Sequence, residues 1–418
     1  MSYAKTLPET DWDFRLENTK TYTHCYHGYP AMMIPQIANR LIKYYGSNAQ
    51  QLFDPYCGSG TSLVEANVNG INAVGTDLNP LARLIAEAKT ALPEIEKIKA
   101  KIDFFSNLFF SSSFKCVEEE KANLPVFPNL HFWFSEEVIE KLSHIKRYID
   151  EIEDRTVSLF FYVAFSETIR EASYTRNSEF KLVRIPEAKR KSFSPDVYGI
   201  FLSKLQRNIR GLLEYSEIMQ GVNAKTKILS FDTVKTVEPL KSSEIDLVVT
   251  SPPYGDSRTT VAYGQFSRLA SQWLDLEEPN KVDNNLMGGK RYFSKIHEMG
   301  FEEVDSSIDK IRQIDEKRAI EVLSFYEDYY KSISNISKII RDGAFCCYVV
   351  GNRIVKNTVL PTDEITKAFF EDNGLRHIDT FNRNIPNKRM PSKNSPTNKT
   401  GAKSATMSRE FIVVMRKE

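Results

Sequence analysis

Apolar side chains recur at helical spacing through residues 32–45. The pattern then changes to a short apolar run at 51–53, a glycine turn, a helical stretch at 62–69 and a second apolar run at 73–76. This alternation predicts a β-α-β unit. Three later runs, 228–231, 245–250 and 344–350, are apolar and bounded by polar residues or glycine, as strands buried on both faces of a parallel sheet are. A helix at 362–371 and strands at 377–381 and 411–415 close the chain. The expected class is α/β with a Rossmann-like sheet.

Between the second and third core strands the alternation breaks down. Segments 135–151, 157–169 and 197–215 read there as amphipathic helices. The predicted organisation is a first part of the core over 1–90, a mainly helical insertion over 91–225, and a second part of the core over 226–418. Residues 256–318, rich in charged and turn residues, are expected to form a loop system. Ligands of an open α/β sheet bind beyond the carboxyl ends of its strands, so both insertions are expected to cover a site. No internal repeat or low-complexity linker is present.

Composition narrows the picture. The chain has 418 residues, 41% hydrophobic and 27% charged, with no apolar run near the ~18 residues of a membrane span. Its first residues lack an apolar leader segment, which gives an expectation of a cytoplasmic protein. Five cysteines, Cys25, Cys57, Cys116, Cys346 and Cys347, form no Cys-x-x-Cys pair, so neither a disulfide framework nor a metal site is expected. The net charge of +1 hides an asymmetry: residues 380–409 carry Arg383, Lys388, Arg389, Lys393, Lys399, Lys403 and Arg409 and no acid. Such segregation makes a positive patch on a neutral protein, here expected as a loop against nucleic acid.

The turn after the first strand reads Asp54-Pro55-Tyr56-Cys57-Gly58-Ser59-Gly60-Thr61. Its glycines let the backbone bend tightly under a ligand. Asp77 ends the second strand, near the ~20-residue offset at which a carboxylate meets the ribose of a bound nucleoside. A dinucleotide-binding turn has a third glycine where this chain has Leu63, and the Asp54-Pro55 pair suits a cationic ligand better than two phosphates. Cys57 reads as a small packing residue beside the glycines.

Ser251-Pro252-Pro253-Tyr254 follows the apolar run at 245–250. Two prolines stop the strand and fix φ, which holds nearby acceptors in set directions. An exocyclic amine on a base is a poor nucleophile because its lone pair is delocalised into the ring. Hydrogen bonds to the Ser251 hydroxyl and the Pro252 carbonyl would favour its pyramidal form, while Tyr254 offers a stacking face for an unpaired base. Positioning and electrostatics would then suffice without a covalent intermediate.

These two segments resemble the amino-methyltransferases of DNA, which modify N4 of cytosine or N6 of adenine. The resemblance implies S-adenosylmethionine as cofactor, double-stranded DNA as substrate, and a methyltransferase form of the Rossmann-like sheet. Ser251, Pro252, Pro253 and Tyr254 would form the catalytic loop. Asp54 and residues Tyr56 to Thr61, with Asp77 and Leu78, would hold the cofactor. His27-Gly28-Tyr29-Pro30-Ala31 is similar to the family's motif beside the methionine part of the ligand, which adds Tyr29, Pro30 and Ala31. Asp232 falls where the family has a polar residue near the adenine, though an acid after a strand also serves as a helix cap.

In the family resembled, serine at the head of the tetrapeptide is commoner among cytosine-N4 enzymes, so the resemblance implies cytosine N4 in a site-specific enzyme. Adenine N6 is the alternative, and an inactive DNA-binding subunit is the alternative of another class. Enzymes of this build commonly partner a restriction endonuclease, so a restriction-modification system is implied. Arg258 and Arg268, just beyond the catalytic loop, and Arg383, Lys388, Arg389 and Lys393 are expected at DNA; Lys181, Arg184, Lys189, Arg190 and Lys191 form a second basic cluster. A cytosine-C5 enzyme would need a Pro-Cys pair, which is absent. The RNA and protein enzymes of related motif place Asn or Asp first in the tetrapeptide, and many tRNA enzymes carry a recognition domain before the core, which is not expected here with about fifty residues ahead of the glycine turn.

Overall fold

A computed structural model describes residues 11–110, 125–256, 259–290, 294–385, 393–394, 404–405 and 409–418. The chain opens with a 3-10 turn, Tyr22–Tyr26, then α1 (Pro35–Tyr45), β1 (Gln51–Asp54), α2 (Thr61–Val68), β2 (Asn72–Thr76) and α3 (Pro80–Thr90). Helices α4 (Ile95–Phe110), α5 (Leu130–Trp133), α6 (Glu136–Asp150), α7 (Arg155–Ala172), α8 (Glu187–Arg190) and α9 (Val197–Ile218) follow. Next come β3 (Thr226–Leu229), β4 (Ile245–Thr250), α10 (Tyr263–Trp273), α11 (Val282–Asn285), α12 (Glu302–Arg312), α13 (Glu316–Ser337) and β5 (Ile340–Val350). The last part holds β6 (Arg353–Val355), β7 (Thr358–Leu360), α14 (Thr362–Asp372), β8 (Leu375–Asn384), β9 (Lys393–Asn394), β10 (Ser404–Ala405) and β11 (Arg409–Lys417).

Seven strands form one sheet in the order β3-β2-β1-β4-β5-β11-β8. From β3 to β5 every pair is parallel, while β11 runs antiparallel to both its neighbours. This is the Rossmann-like α/β sheet expected. The order reverses between β1, which leads to β2, and β4, which leads to β5. A crevice opens at such a reversal, beyond the carboxyl ends of β1, β2 and β4.

Alternation along the long strands fills both faces. Cys346, Tyr348 and Val350 of β5, with Val413 and Met415 of β11, point into one core together with α13 and α14. Cys347, Val349, Ile412 and Val414 point the other way, against α1 and α2. Burial of Cys57, Cys346 and Cys347 in these cores accounts for their use as small apolar residues; Cys25 is half-buried, and among the described residues all cysteines are free thiols. A third core, built on Phe105, Phe161, Phe165, Phe201 and Trp273, joins α4, α7, α9 and α10 and continues into α3 through Leu81 and Ile85. Each such side chain contributes roughly 1.5–3 kcal/mol on burial, so the helical segment is seated firmly on α3, beside β2.

Side chains start the helices where the sequence changes period. Asn79 accepts a hydrogen bond from the Leu81 amide at 3.1 Å, with Pro80 at the first helical position of α3, while Asp154 and Asp196 cap α7 and α9 in the same way.

Residues 256–318 are not the loop system expected. Helix α10 buries Phe266, Leu269, Ala270 and Trp273, and α12 buries Val304, Ile308 and Ile311. The charges of α12 occupy one side while its three apolar residues form a stripe at i, i+4 and i+7, so the segment is amphipathic rather than irregular. Strands β5, β8 and β11 also run further than their apolar stretches, because antiparallel pairing of β11 to β5 and β8 continues through polar positions such as Arg383 and Glu410. Among the described residues no helix is long and apolar enough to cross a membrane.

Candidate active site

At the sheet reversal lies a cleft of about 760 Å³, mouth included. Its wall combines Tyr29, Pro30 and Ala31 from the N-terminal segment with Asp54, Tyr56, Cys57, Gly58, Ser59 and Thr61 from the glycine turn. Asp77 and Asn79 stand after β2, Ser251, Pro253 and Gly255 after β4, and Tyr263 on α10. Three separate sequence motifs therefore meet in one cavity. Leu286 and Met287 close it from the segment before α12.

The glycine turn is shaped by close approach. Gly60 has φ +79°, and a Cβ there would stand 2.9 Å from the Cβ of Ala86 on α3. Leu63, at the place of a dinucleotide turn's third glycine, packs over Gly75 of β2; a Cβ on Gly75 would meet its Cδ1 at 2.6 Å. The small residue needed for close helix-strand approach thus sits on the strand instead of the helix. Gly60 and Gly75 themselves contribute backbone shape and lie outside the wall.

Asp77 accepts the Gly58 amide at 3.0 Å on Oδ2 and the Asn79 amide at 2.7 Å on Oδ1. Each oxygen keeps a lone pair for a further donor. Burial raises its pKa, against which the two amides act. Leu78 is half-buried and lies outside the wall of the cleft. Asp54, 3% exposed, ties the turn together: it accepts the Thr250 hydroxyl at 2.6 Å, the Tyr56 amide at 3.1 Å and the Ser62 hydroxyl. Because Thr250 directly precedes Ser251, the acid that ends β1 also fixes the start of the Ser251–Tyr254 tetrapeptide. Burial pushes its pKa up to about 6. Tyr56 sends its hydroxyl to Ser332 on α13 at 2.6 Å. Cys57 is 5% exposed and burial pushes its thiol well up, so it remains a neutral packing group.

Tyr29 accepts the Asn79 side-chain amide at 2.9 Å and stacks on Tyr263 at 6.0 Å. The helical segment holds this motif in place. Glu167 of α7 accepts the Gly28 amide at 2.7 Å, and Arg207 of α9 donates to both Glu167 and the Tyr26 carbonyl.

Within the tetrapeptide a directional chain of hydrogen bonds appears. Ser251 Oγ donates to Tyr254 Oη at 3.2 Å, Tyr254 Oη donates to Glu410 Oε1 at 3.0 Å, and Arg383 Nη1 donates to Glu410 Oε2 at 2.6 Å. The carboxylate can only accept, so it sets the direction of every proton in the chain. Ser251, whose own proton points to Tyr254, keeps its lone pairs for the cleft. Glu410 and Arg383 enter from β11 and β8; the acid carries no local motif that sequence reading could have caught. Of the tetrapeptide, Ser251 and Pro253 stand in the wall of the cleft, while Pro252 and Tyr254 do not.

Two expected positions fall elsewhere. Asp232 is not in the cleft: its carboxylate accepts the Val234 amide at 3.1 Å and pairs with Lys235 at 3.0 Å, so it caps the turn after β3. Arg383 is 6% exposed and paired to Glu410, so it is an internal clamp and not a free contact for DNA. The acid-free run suggested otherwise because its acid partner stands just past the run. Arg268 is half-buried on α10 with Nε lacking a hydrogen-bond partner among the described residues. Arg258, Lys388 and Arg389 lie outside the described residues, and of Lys393 only the backbone, in β9, is described. In the second basic cluster Lys181, Lys189 and Lys191 are exposed, while Arg184 lies over the ring of Phe132 at 3.9 Å and Arg190 is 3.9 Å from Glu187. Among the described residues no group of three or more His, Cys, Asp or Glu side chains could hold a metal.

Residues 21–106, which contain the N-terminal motif, the glycine turn and Asp77, match the family described as UPF0020, RMKL-like, methyltransferase domain. The solved rRNA methyltransferase AviRa from Streptomyces viridochromogenes overlaps 93% of this chain and 86% of its own at 12% identity, with a TM-score of 0.34. The type II methyltransferase M.BsoBI of Geobacillus stearothermophilus is 20% identical over 83% of this chain and 77% of its own. The type II methyltransferase M.MvaI of Kocuria varians is 42% identical over 422 aligned residues, 96% of this chain and 92% of that protein. The aligned stretch covers nearly the whole chain, and the chain belongs to the type II methyltransferase family.

Proposed function

We propose that this chain is a site-specific DNA methyltransferase that transfers a methyl group from S-adenosylmethionine to N4 of a cytosine turned out of the double helix. The single observation that carries the reading is Ser251: it faces the same cleft as Asp77 and the glycine turn, with its proton committed to Tyr254 and its lone pairs turned to the cavity.

The cleft fits the cofactor. Asp77 offers one free lone pair per oxygen, as two neighbouring ribose hydroxyls require, and the wall holds the acids Asp54 and Asp77 but no Lys or Arg among the described residues. An acidic wall suits a sulfonium and an amino group, and repels the pyrophosphate of a dinucleotide. When bound, the cofactor supplies an electrophilic methyl on that sulfonium. Gly58, Ser59, Tyr29 and Tyr263, which line the cleft, are the residues that would hold it alongside Asp77. Ser251 accepts one N–H of the target amine; the carbonyl of Pro252 is the second acceptor in this reading. Together they draw the nitrogen lone pair out of the ring and aim it, which is positioning catalysis with no covalent intermediate. Tyr254, outside the wall of the cleft, enters this reading through its hydroxyl, which takes the Ser251 proton, and not through a stacking face.

Serine rather than aspartate at the head of the tetrapeptide favours cytosine over adenine. The intact Asp77, glycine turn and Ser251 chain argue against a subunit that only binds DNA. Arg268, the exposed lysines of the second basic cluster and Lys388, Arg389 and Lys393 are proposed contacts for the DNA backbone, and a cognate restriction endonuclease is the proposed partner in the cell. The Ser251→Ala variant tests the reading: it should bind S-adenosylmethionine as the parent does and lose methyl transfer to DNA by at least ~10-fold, the worth of a hydrogen bond made in the transition state. Undiminished transfer would remove Ser251 from the chemistry.

A further inference from the structure

A second cavity, of about 290 Å³, adjoins the first and shares Met32, Met33 and Thr61 with its wall. Its chemistry is the reverse. Lys20, His24 and Lys89 line it, with Thr19 and Thr61, and among the described residues no carboxylate does. Lys89, near the end of α3, has no exposed surface, yet makes no ion pair among the described residues; its Nζ donates to Ser59 Oγ at 3.3 Å, and Ser59 stands in the wall of the main cleft. The acids of the neighbourhood are taken. Glu65 is bound to His24 at 2.8 Å and to Asn39 at 2.6 Å, and Glu167 is bound to Arg207 and Gly28. A lysine ammonium held in apolar surroundings with one neutral hydroxyl is unfavourable unless an anion joins it. Burial, with Lys20 acting in the same sense, pushes the Lys89 pKa down to about 7, as for a cation short of a partner.

S-adenosylmethionine is itself divided in charge. Its sulfonium and amino group are cationic, and its only anionic group is the α-carboxylate at the methionine end. The two adjoining cavities repeat that division: an acidic cleft that ends at Asp77, and beside Ser59 a basic recess. We propose that Lys89 is a cofactor-binding residue whose ammonium pairs with the α-carboxylate of S-adenosylmethionine, received in the recess between Ser59, Thr61 and His24. The assignment rests on the cofactor reading of the main cleft.

Calorimetric titration of the full chain with three ligands tests it. The ligands are S-adenosylmethionine, its decarboxylated analogue, which keeps the amine and sulfonium, and 5′-methylthioadenosine, which lacks the amino-acid end. The parent should bind S-adenosylmethionine ~10- to 100-fold more tightly than the decarboxylated analogue, the range of a charged hydrogen bond. In Lys89→Met that preference should fall to within ~3-fold, with the affinity for methylthioadenosine unchanged. Equal binding of the two cofactor forms by the parent would overturn the proposal even if the variant did not fold. A variant that weakens all three ligands alike would also overturn it, since Lys89 would then support the turn without reading the carboxylate. If the parent binds none of the three, the cofactor reading fails first, and the role of Lys89 falls with it.

Discussion

The Glu410→Gln substitution exchanges one carboxylate oxygen for an amide nitrogen and should reverse the proton order behind Ser251. In the parent, Oε2 receives Arg383 at 2.6 Å and Oε1 receives the Tyr254 hydroxyl at 3.0 Å. Arg383 can only donate, so the carbonyl oxygen of the substituted amide must turn to it, which leaves the amide nitrogen facing Tyr254. Tyr254 then accepts where it had donated, and its proton turns towards Ser251 Oγ at 3.2 Å. Ser251 in turn accepts from Tyr254 and points its own proton into the cleft, where in the proposed reaction the target amine also presents protons. The amine loses one acceptor and meets a donor, a penalty of ~1–3 kcal/mol in the transition state, or roughly 5- to 150-fold in rate. Single-turnover transfer of labelled methyl to DNA measures it, with cofactor affinity as the control expected to stay constant. Tyr254→Phe removes the link through which Glu410 acts, so Glu410→Gln should add less than ~2-fold in that background. A rate within ~2-fold of the parent, or full additivity of the two changes, would refute the idea that the carboxylate sets the orientation of Ser251.

Three further outcomes follow from the site. Asp77→Ala should weaken binding of S-adenosylmethionine by about one to two decades in calorimetry while the variant, though less stable for the loss of the Gly58 and Asn79 amide bonds, still folds, and full-strength binding would place the ribose elsewhere. Gly60→Ala forces an alanine to φ +79° with its Cβ against Ala86, so it should lower unfolding free energy by ~1–3 kcal/mol in a denaturant titration; an unchanged midpoint would show that the turn relaxes freely. For Asp54 the folded pKa of about 6 exceeds the ordinary value of 3.8, so as pH falls from 6 to 4 the folded protein takes up a proton that the unfolded chain does not, and stability from this group rises by up to ~1.4 kcal/mol per pH unit. Melting curves of the parent and Asp54→Asn between pH 4 and 6 should differ in slope in that sense, and parallel slopes would contradict the raised pKa.

The parts of the fold that could be read from sequence were those decided by local pattern. Strand β1, the glycine turn, α2 and β2 follow one another within about thirty residues, and each has its own period or turn residue. The tetrapeptide was legible for the same reason, since two prolines after an apolar strand permit few conformations. Helix α12 was hidden because its charges dominate the composition, and only the spacing of Val304, Ile308 and Ile311 reveals the buried side. The remaining misses are long-range. Lys89 looks like an ordinary basic residue in the last turn of a helix, and nothing within a few positions says that α3 turns it inward against Ser59. Glu410 reads as the polar start of a strand. Its role depends on β11 lying beside β8, which brings Arg383 to it, and on the sheet edge lying behind Tyr254. Arg383 was misplaced by the same blindness, because its acid partner lies beyond the window in which the charge was counted.

The measurement that bears most directly on the proposed chemistry is mass spectrometry of nucleosides from DNA incubated with the full chain and isotopically labelled S-adenosylmethionine. The expected result is label in N4-methyldeoxycytidine, absent when Ser251→Ala replaces the parent. Label in N6-methyldeoxyadenosine would contradict the cytosine assignment, and a DNA pool with no labelled nucleoside, from a protein that binds the cofactor, would contradict the reading of this site as a DNA-methylating centre.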